Sequence, residues 1–138
     1  VQIKSREDRV DRDGDGRASI LDLKTGGSKP KPGDLDRHPQ LGVYQLAAVL
    51  GAFSRHGMSE PGGASLVQLG KAGGKNDALE QQQGALADDA NPRWAHDLVD
   101  TVATGMSGPF FQAKVNDGCR TCAARASCPV NDNGGQVC

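Results

Sequence analysis

Asp13-Gly14-Asp15-Gly16 forces an early reversal of the chain. Repeated Asp-Gly steps favour tight turns, because glycine reaches positive φ and aspartate bonds its own backbone two residues on. Before the turn, residues 1–10 read as a charged strand, with Arg6, Glu7, Asp8 and Arg9 in succession. After it, ASILDL at 18–23 reads as a second strand, and the two make a hairpin. TGGSKPKPGD at 25–34 is a loop. A helix follows, with Asp36 as its N-cap, Pro39 in its first turn, and a broad apolar surface from Leu41 to Phe53. ASLVQL at 64–69 reads as a third strand, and the Gly-, Gln- and Asp-rich residues 70–90 as an exposed loop. A second helix opens on Asn91 as N-cap and Pro92 at its first position. Trp94, Leu98, Val102 and Met106 share one of its faces, Trp94 is a core residue, and Gly105 and Gly108 end the helix. The order strand, strand, helix, strand, helix specifies a small mixed α/β unit, and the tail from 109 onward is irregular.

Composition narrows what such a unit can be. Glycine makes up 19 of 138 residues, about twice the average usage, and aromatics only 4%. The core is therefore expected to be small and aliphatic. A net charge of −1 gives no global attraction to nucleic acid, although Lys24, Lys29, Lys31 and Arg37 concentrate positive charge in one stretch. No segment approaches the ~20 apolar residues of a membrane span. All four cysteines lie in the last 20 residues. A secreted disulfide framework scatters its cysteines, so the clustering favours a metal or cluster site in a reducing, cytoplasmic setting. The chain opens directly on its first strand and without Met, which suggests a fragment of a longer protein.

The chemistry centres on Asp22-Leu23-Lys24. Strand alternation puts Asp22 and Lys24 on one face and Leu23 on the other. Asp8 lies across the hairpin. Two carboxylates so juxtaposed suit Mg²⁺, which prefers hard oxygen ligands and can polarise a phosphoryl oxygen and activate water. Lys24 can orient that water or neutralise developing charge. A D-x-K triplet alone is weak, since a surface Asp and Lys are common. Its context is stronger: Gln40 and Tyr44 in HPQLGVYQLA stand at i,i+4 and share a helix face.

The combination resembles the RecB-like branch of the PD-(D/E)xK nucleases. The resemblance implies a restriction-endonuclease-like α/β core, a central mixed sheet flanked by helices and here N-terminally incomplete. It places the catalytic set on Asp8, Asp22, Lys24, Gln40 and Tyr44, and Mg²⁺ or Mn²⁺ on Asp8 and Asp22. Ser5 and Glu7 stand where the family has glycine and an apolar residue before its first aspartate, so Asp11 rivals Asp8 for that role. The family's upstream acidic or histidine ligand has no counterpart in this chain, so the fragment by itself is expected to be inactive.

Cys119-x2-Cys122-x5-Cys128-Pro129 is a compact soft-metal ligand set. A zinc ribbon needs two C-x2-C pairs, which the chain lacks. The pattern resembles the iron–sulfur staple of AddB-type nucleases, where a fourth cysteine from upstream completes a [4Fe–4S] cluster. Here Cys138 is the one other cysteine, and it is expected to lie apart from the three. Together these likenesses imply residues 1–118 as a partial nuclease core and 119–138 as a cysteine tail. They imply a DNA exonuclease module working with a helicase motor, in the same polypeptide or a partner subunit, on double-strand-break ends in recombinational repair. A stand-alone exonuclease of the CRISPR-adaptation type and a degenerate remnant that scaffolds a partner are alternatives. A calcium module is another: DRDGDGRASILD at 11–22 places Asp11, Asp13, Asp15, Gly16 and Asp22 at EF-hand positions. KTGGSKPKPGD cannot supply the helix an EF-hand needs after its loop, so a hairpin turn is the expectation. His38, His56 and His96 show no ligand spacing.

Overall fold

The computed structural model describes residues 2–26, 28–69, 78–110 and 113–130. They form two units that divide between Ala103 and Thr104. The first is built around a four-stranded sheet. Its strands β1 (Arg9–Arg12), β2 (Ala18–Lys24), β3 (Pro61–Gln68) and β4 (Leu79–Gln83) lie side by side in chain order.

The expected hairpin is β1–β2, with Arg9 opposite Leu21 and Arg12 opposite Ala18. Gly16 sits at φ +83°, a conformation that favours glycine. Asp13 Oδ1 accepts the N–H of Asp15 at 2.9 Å and of Arg17 at 2.8 Å, and the Arg17 guanidinium bonds both carboxylates. Strands flank this turn and Arg17 engages its acidic groups, so residues 11–22 are a hairpin and not an EF-hand loop. The first strand is shorter than residues 1–10. One residue beyond the Arg9–Leu21 pair, the Asp8 carboxylate takes the Leu23 N–H at 2.8 Å, where a strand carbonyl would otherwise continue the ladder.

The β2–β3 pair is parallel, with a bulge near Ala18, and β3–β4 is antiparallel. Parallel neighbours need a long crossover. It holds a short helix α1 (Pro32–Leu35) and the longer α2 (Pro39–Val49). Asp36 is therefore not the N-cap: it follows α1, and His38 holds the cap position of α2 without a side-chain cap bond. Pro39 opens α2, where its missing N–H costs nothing. Leu41, Tyr44 and Ala48, at helical spacing, join Ile20, Ala64 and Leu66 of the sheet in the main core. Burying side chains of this kind contributes about 1.5–3 kcal/mol each. On another face of α2, a Cβ at Gly42 would overlap the indole of Trp94. The glycine lets α3 (Trp94–Ser107) bring Trp94 and Ala95 into a second cluster with Leu46 and Leu86. Asn91 Oδ1 accepts the Arg93 N–H at 3.1 Å, just ahead of the helix.

Residues 79–88 are not an exposed loop: they supply β4 and a 3₁₀ turn, Leu86–Asp88. Gln45 and Gln83 fasten β4 to α2 from within. Gln45 Nε2 donates to Gln83 Oε1 and to the Gly84 carbonyl, both at 3.0 Å, and Gln83 Nε2 donates to the Leu35 carbonyl at 2.9 Å. In the second unit two 3₁₀ turns, Asp117–Thr121 and Arg125–Ser127, follow the end of α3. No helix among the described residues is long and apolar enough to cross a membrane.

Candidate active site

Alternation along β2 sinks Ala18, Ile20 and Asp22 into the face covered by α2, while Leu23 turns outward. An aspartate that is 4% exposed must be compensated. Three side chains do so. Lys24 Nζ lies 2.6 Å from Asp22 Oδ2. Gln40 Nε2 donates to Asp22 Oδ1 at 2.9 Å, and the Tyr44 hydroxyl donates to the same oxygen at 3.1 Å. Gln40 also ties the set together, accepting from Lys24 Nζ at 3.0 Å and donating to Tyr44 Oη at 2.7 Å. Four of the five residues read as catalytic thus form one closed network, built from an i,i+2 pair on a strand and an i,i+4 pair on the first turns of a helix. Burial raises the Tyr44 hydroxyl above its ordinary pKa, so it remains a protonated donor.

Asp8 stands at the margin of this network. Its carboxylate holds the Leu23 N–H, next to Asp22 in the chain, and is itself exposed. Asp11 is three residues farther down the hairpin, opposite Ser19, and its carboxylate pairs with Arg9 at 2.8 Å. Of the two rivals, Asp8 is the one beside the D-x-K strand end.

The donor set fits a hard divalent cation. Asp22 Oδ2 is buried and makes no directed hydrogen bond, although the Lys24 charge sits close by. Mg²⁺ retains several waters and is commonly held by one or two carboxylates together with substrate phosphates. Asp22 offers one such carboxylate, and Asp8 holds the N–H of the next residue along the same strand. No three His, Cys, Asp or Glu residues among the described ones could hold an ion on their own.

The basic stretch divides in role. Arg37 pairs with Asp89 at 2.7 Å. Lys24 belongs to the network, and Lys29 lines a cavity beside it with His38, Gln40 and Gln68. His38 is partly buried, and burial, reinforced by the Lys24 charge, lowers its pKa. Gln68 was legible in the sequence only as part of a strand. In the structure it is a buried polar group opposite Lys24, which the mere inward position of a glutamine in ASLVQL could have signalled.

In the second unit the two 3₁₀ turns bring Cys119, Cys122 and Cys128, all free, around one cavity of about 160 Å³, with Arg120 and Arg125. The Asn116 N–H donates to Cys119 Sγ at 3.3 Å. Cys138 lies outside the described residues.

None of the curated proteins compared with the chain matches it. The family model of the PD-(D/E)XK nuclease superfamily matches residues 1–129. With a four-stranded mixed sheet flanked by helices and a D-x-K strand end, the chain belongs to that superfamily, whose members are typically nucleases dependent on divalent metals such as Mg²⁺.

Proposed function

We propose that the chain is a RecB-like DNA exonuclease module that works with a helicase motor on double-strand-break ends. The observation that carries the reading is the closed network of Asp22, Lys24, Gln40 and Tyr44. Q-x-x-x-Y beside D-x-K is the feature that separates this branch from the wider superfamily. Asp22, with Asp8, is the candidate ligand of Mg²⁺ or Mn²⁺, which when bound supplies Lewis acidity at the scissile phosphate. Lys24 Nζ holds the attacking water and offsets charge on the phosphoryl oxygens. Gln40 fixes the Lys24 ammonium by its carbonyl and the Asp22 carboxylate by its amide, so both are oriented before substrate arrives. The Tyr44 hydroxyl is the second donor to Asp22 Oδ1.

The cysteine tail, residues 119–138, is the candidate seat of a [4Fe–4S] cluster, appended to a nuclease core that ends near 118. A single ion draws its thiolates to about 2.3 Å, whereas a four-iron cluster takes each thiolate on a separate iron. Three free thiols that line one cavity offer the soft ligands such a cluster needs. Its contribution would be to staple the tail. Arg120, on the same cavity, would offset the negative charge of a thiolate-bound cluster.

The test is digestion of linear and covalently closed circular DNA in Mg²⁺, by this chain and by a longer polypeptide that includes its motor. Loss of linear DNA from its ends, with circles spared, is expected of the longer polypeptide, and little or no digestion by this chain alone. Equal cutting of circles would remove the exonuclease assignment while leaving the superfamily intact.

A further inference from the structure

Beside Lys24 the first unit holds a cavity of about 380 Å³, lined among others by Lys24, Lys29, His38, Gln40, Leu66 and Gln68. Gln68 faces Lys24 in the β2–β3 register and is 1% exposed. Among the described residues neither its Nε2 nor its Oε1 has a hydrogen-bond partner. Gln45 and Gln83 are as deeply buried and both are bonded, so burial alone does not leave an amide of this fold unpaired. His38 Nδ1, on the same cavity, also lacks a partner among the described residues. Native proteins pair nearly all buried polar groups, and the exceptions call for a ligand or water.

We infer that Gln68 is a specificity residue that reads the base of a nucleotide next to the scissile phosphate, in single-stranded or frayed DNA. The inference rests on the nuclease reading above. A primary amide has both a donor and an acceptor to satisfy. The internal phosphates and deoxyriboses of DNA offer acceptors alone, and would leave Oε1 unpaired. A base edge offers a donor and an acceptor side by side, and adenine matches a glutamine amide through N6 and N7. A base reaches a side chain set this deep only when it is free of its stack and its partner strand. Lys24 joins this cavity to the Asp22 network, so a base held by Gln68 would lie one step from the reacting phosphate.

The experiment measures binding of short single-stranded oligonucleotides by fluorescence anisotropy in Ca²⁺, with cleavage in Mg²⁺ followed in parallel. An abasic nucleotide is walked along the strand. With the unaltered chain, one abasic position is expected to weaken binding about tenfold. Gln68→Met should bind intact and abasic strands alike. Gln68→Glu, which accepts but does not donate, should shift the preferred base from adenine towards cytosine. A folding defect cannot produce that shift, so Gln68→Glu decides the matter should the Met variant fail to fold. Equal binding of intact and abasic strands by the unaltered chain overturns the assignment of Gln68 alone if DNA is still cut. Undiminished discrimination in Gln68→Met, or an unchanged preference in Gln68→Glu, does the same. If neither this chain nor the longer polypeptide that includes it binds or cuts any DNA end, the nuclease reading falls, and this inference with it.

Discussion

The two candidate sites of this chain are held in different ways. Asp22, Lys24, Gln40 and Tyr44 sit on a central strand and the helix that covers it, and their hydrogen bonds close on one another without any ligand. The three cysteines sit on or at the ends of consecutive 3₁₀ turns, and Cys122 is exposed. Those turns are stabilised mostly by bonds between neighbours, such as Arg125 N–H to the Cys122 carbonyl at 3.1 Å. The first site is preorganised by folding. The second has its ligands gathered but little buried surface to hold them, so bound metal would do the fixing. Catalysis tolerates little positional error, whereas a staple can be ordered by the group it binds.

The sharpest way to break this contrast is to change the first site while sparing its packing. Asp22→Asn and Lys24→Met should each lower DNA cleavage by about a thousand-fold or more, since they remove a metal ligand and the charge that meets the phosphoryl oxygens. Circular dichroism should show the sheet and helices unchanged. Near-normal cleavage by Asp22→Asn would dissolve the active-site assignment. Asp8→Asn should resemble it more closely than Asp11→Asn does. If the order is reversed, the first carboxylate has been placed three residues too early.

The second site should behave in the opposite way. After anaerobic reconstitution, Cys122→Ser is expected to lose most of its bound iron and the associated visible absorbance, while the thermal unfolding of the sheet-containing unit stays where it was. Three thiolates leave one iron open, so the cluster on this chain should bleach in air within one preparation. A robust four-iron cluster that Cys138→Ser destroys would make Cys138 the fourth ligand.

The same contrast explains what could be read in the sequence. The first site was legible because its spacings are those of regular structure: i,i+2 on a strand and i,i+4 on a helix fix which side chains share a face. β4 was not, because its inward positions carry glutamines instead of apolar residues. Gln81 donates to the Pro30 carbonyl and Gln83 to that of Leu35, so the strand is held by polar contacts and shows no alternation of hydropathy. The first strand was read too long because a charged run gives no sign of where the ladder stops. A carboxylate, Asp8, ends it. Asp36 looked like a helix cap, yet the chain turns through α1 before it. The second helix runs to Ser107, close to where the glycines end it, but Val102 and Met106 on its apolar face are exposed, because periodicity does not reveal where the packing partner ends.

Within the network, Tyr44 should show a smaller effect than its neighbours. Tyr44→Phe keeps the ring in the core and deletes the bond to Asp22 Oδ1, together with the one accepted from Gln40 Nε2, which keeps its other partner on Asp22. A hydrogen bond to a charged group is worth about 1.5 kcal/mol or somewhat more, or roughly tenfold in rate. Because Tyr44 acts through Asp22, the loss should be partly recovered by raising Mg²⁺. A tenfold loss that no metal concentration relieves would put the hydroxyl on the substrate instead.

The smallest expected effect lies in the hairpin, where it tests whether the turn is structural or a metal loop. Asp13 is held below the usual carboxylate range, first by the Arg17 backbone N–H and also by the Arg17 guanidinium. A carboxyl depressed in the folded state adds stability above its unfolded pKa, about 3.9, and loses that contribution as pH falls through the lower folded value. Asp13→Ala should therefore lower the urea midpoint slightly at pH 7, and the difference from the unaltered chain should shrink towards about pH 3. The effect is small because the pair is partly open to solvent, where ion pairs are screened. Calcium should leave the midpoint of both proteins unmoved, since Arg17 already occupies the carboxylates a cation would need. Stoichiometric, tight Ca²⁺ binding in a calorimetric titration, abolished by Asp13→Ala, would show that the turn can exchange its arginine for a metal and that residues 11–22 do more than reverse the chain.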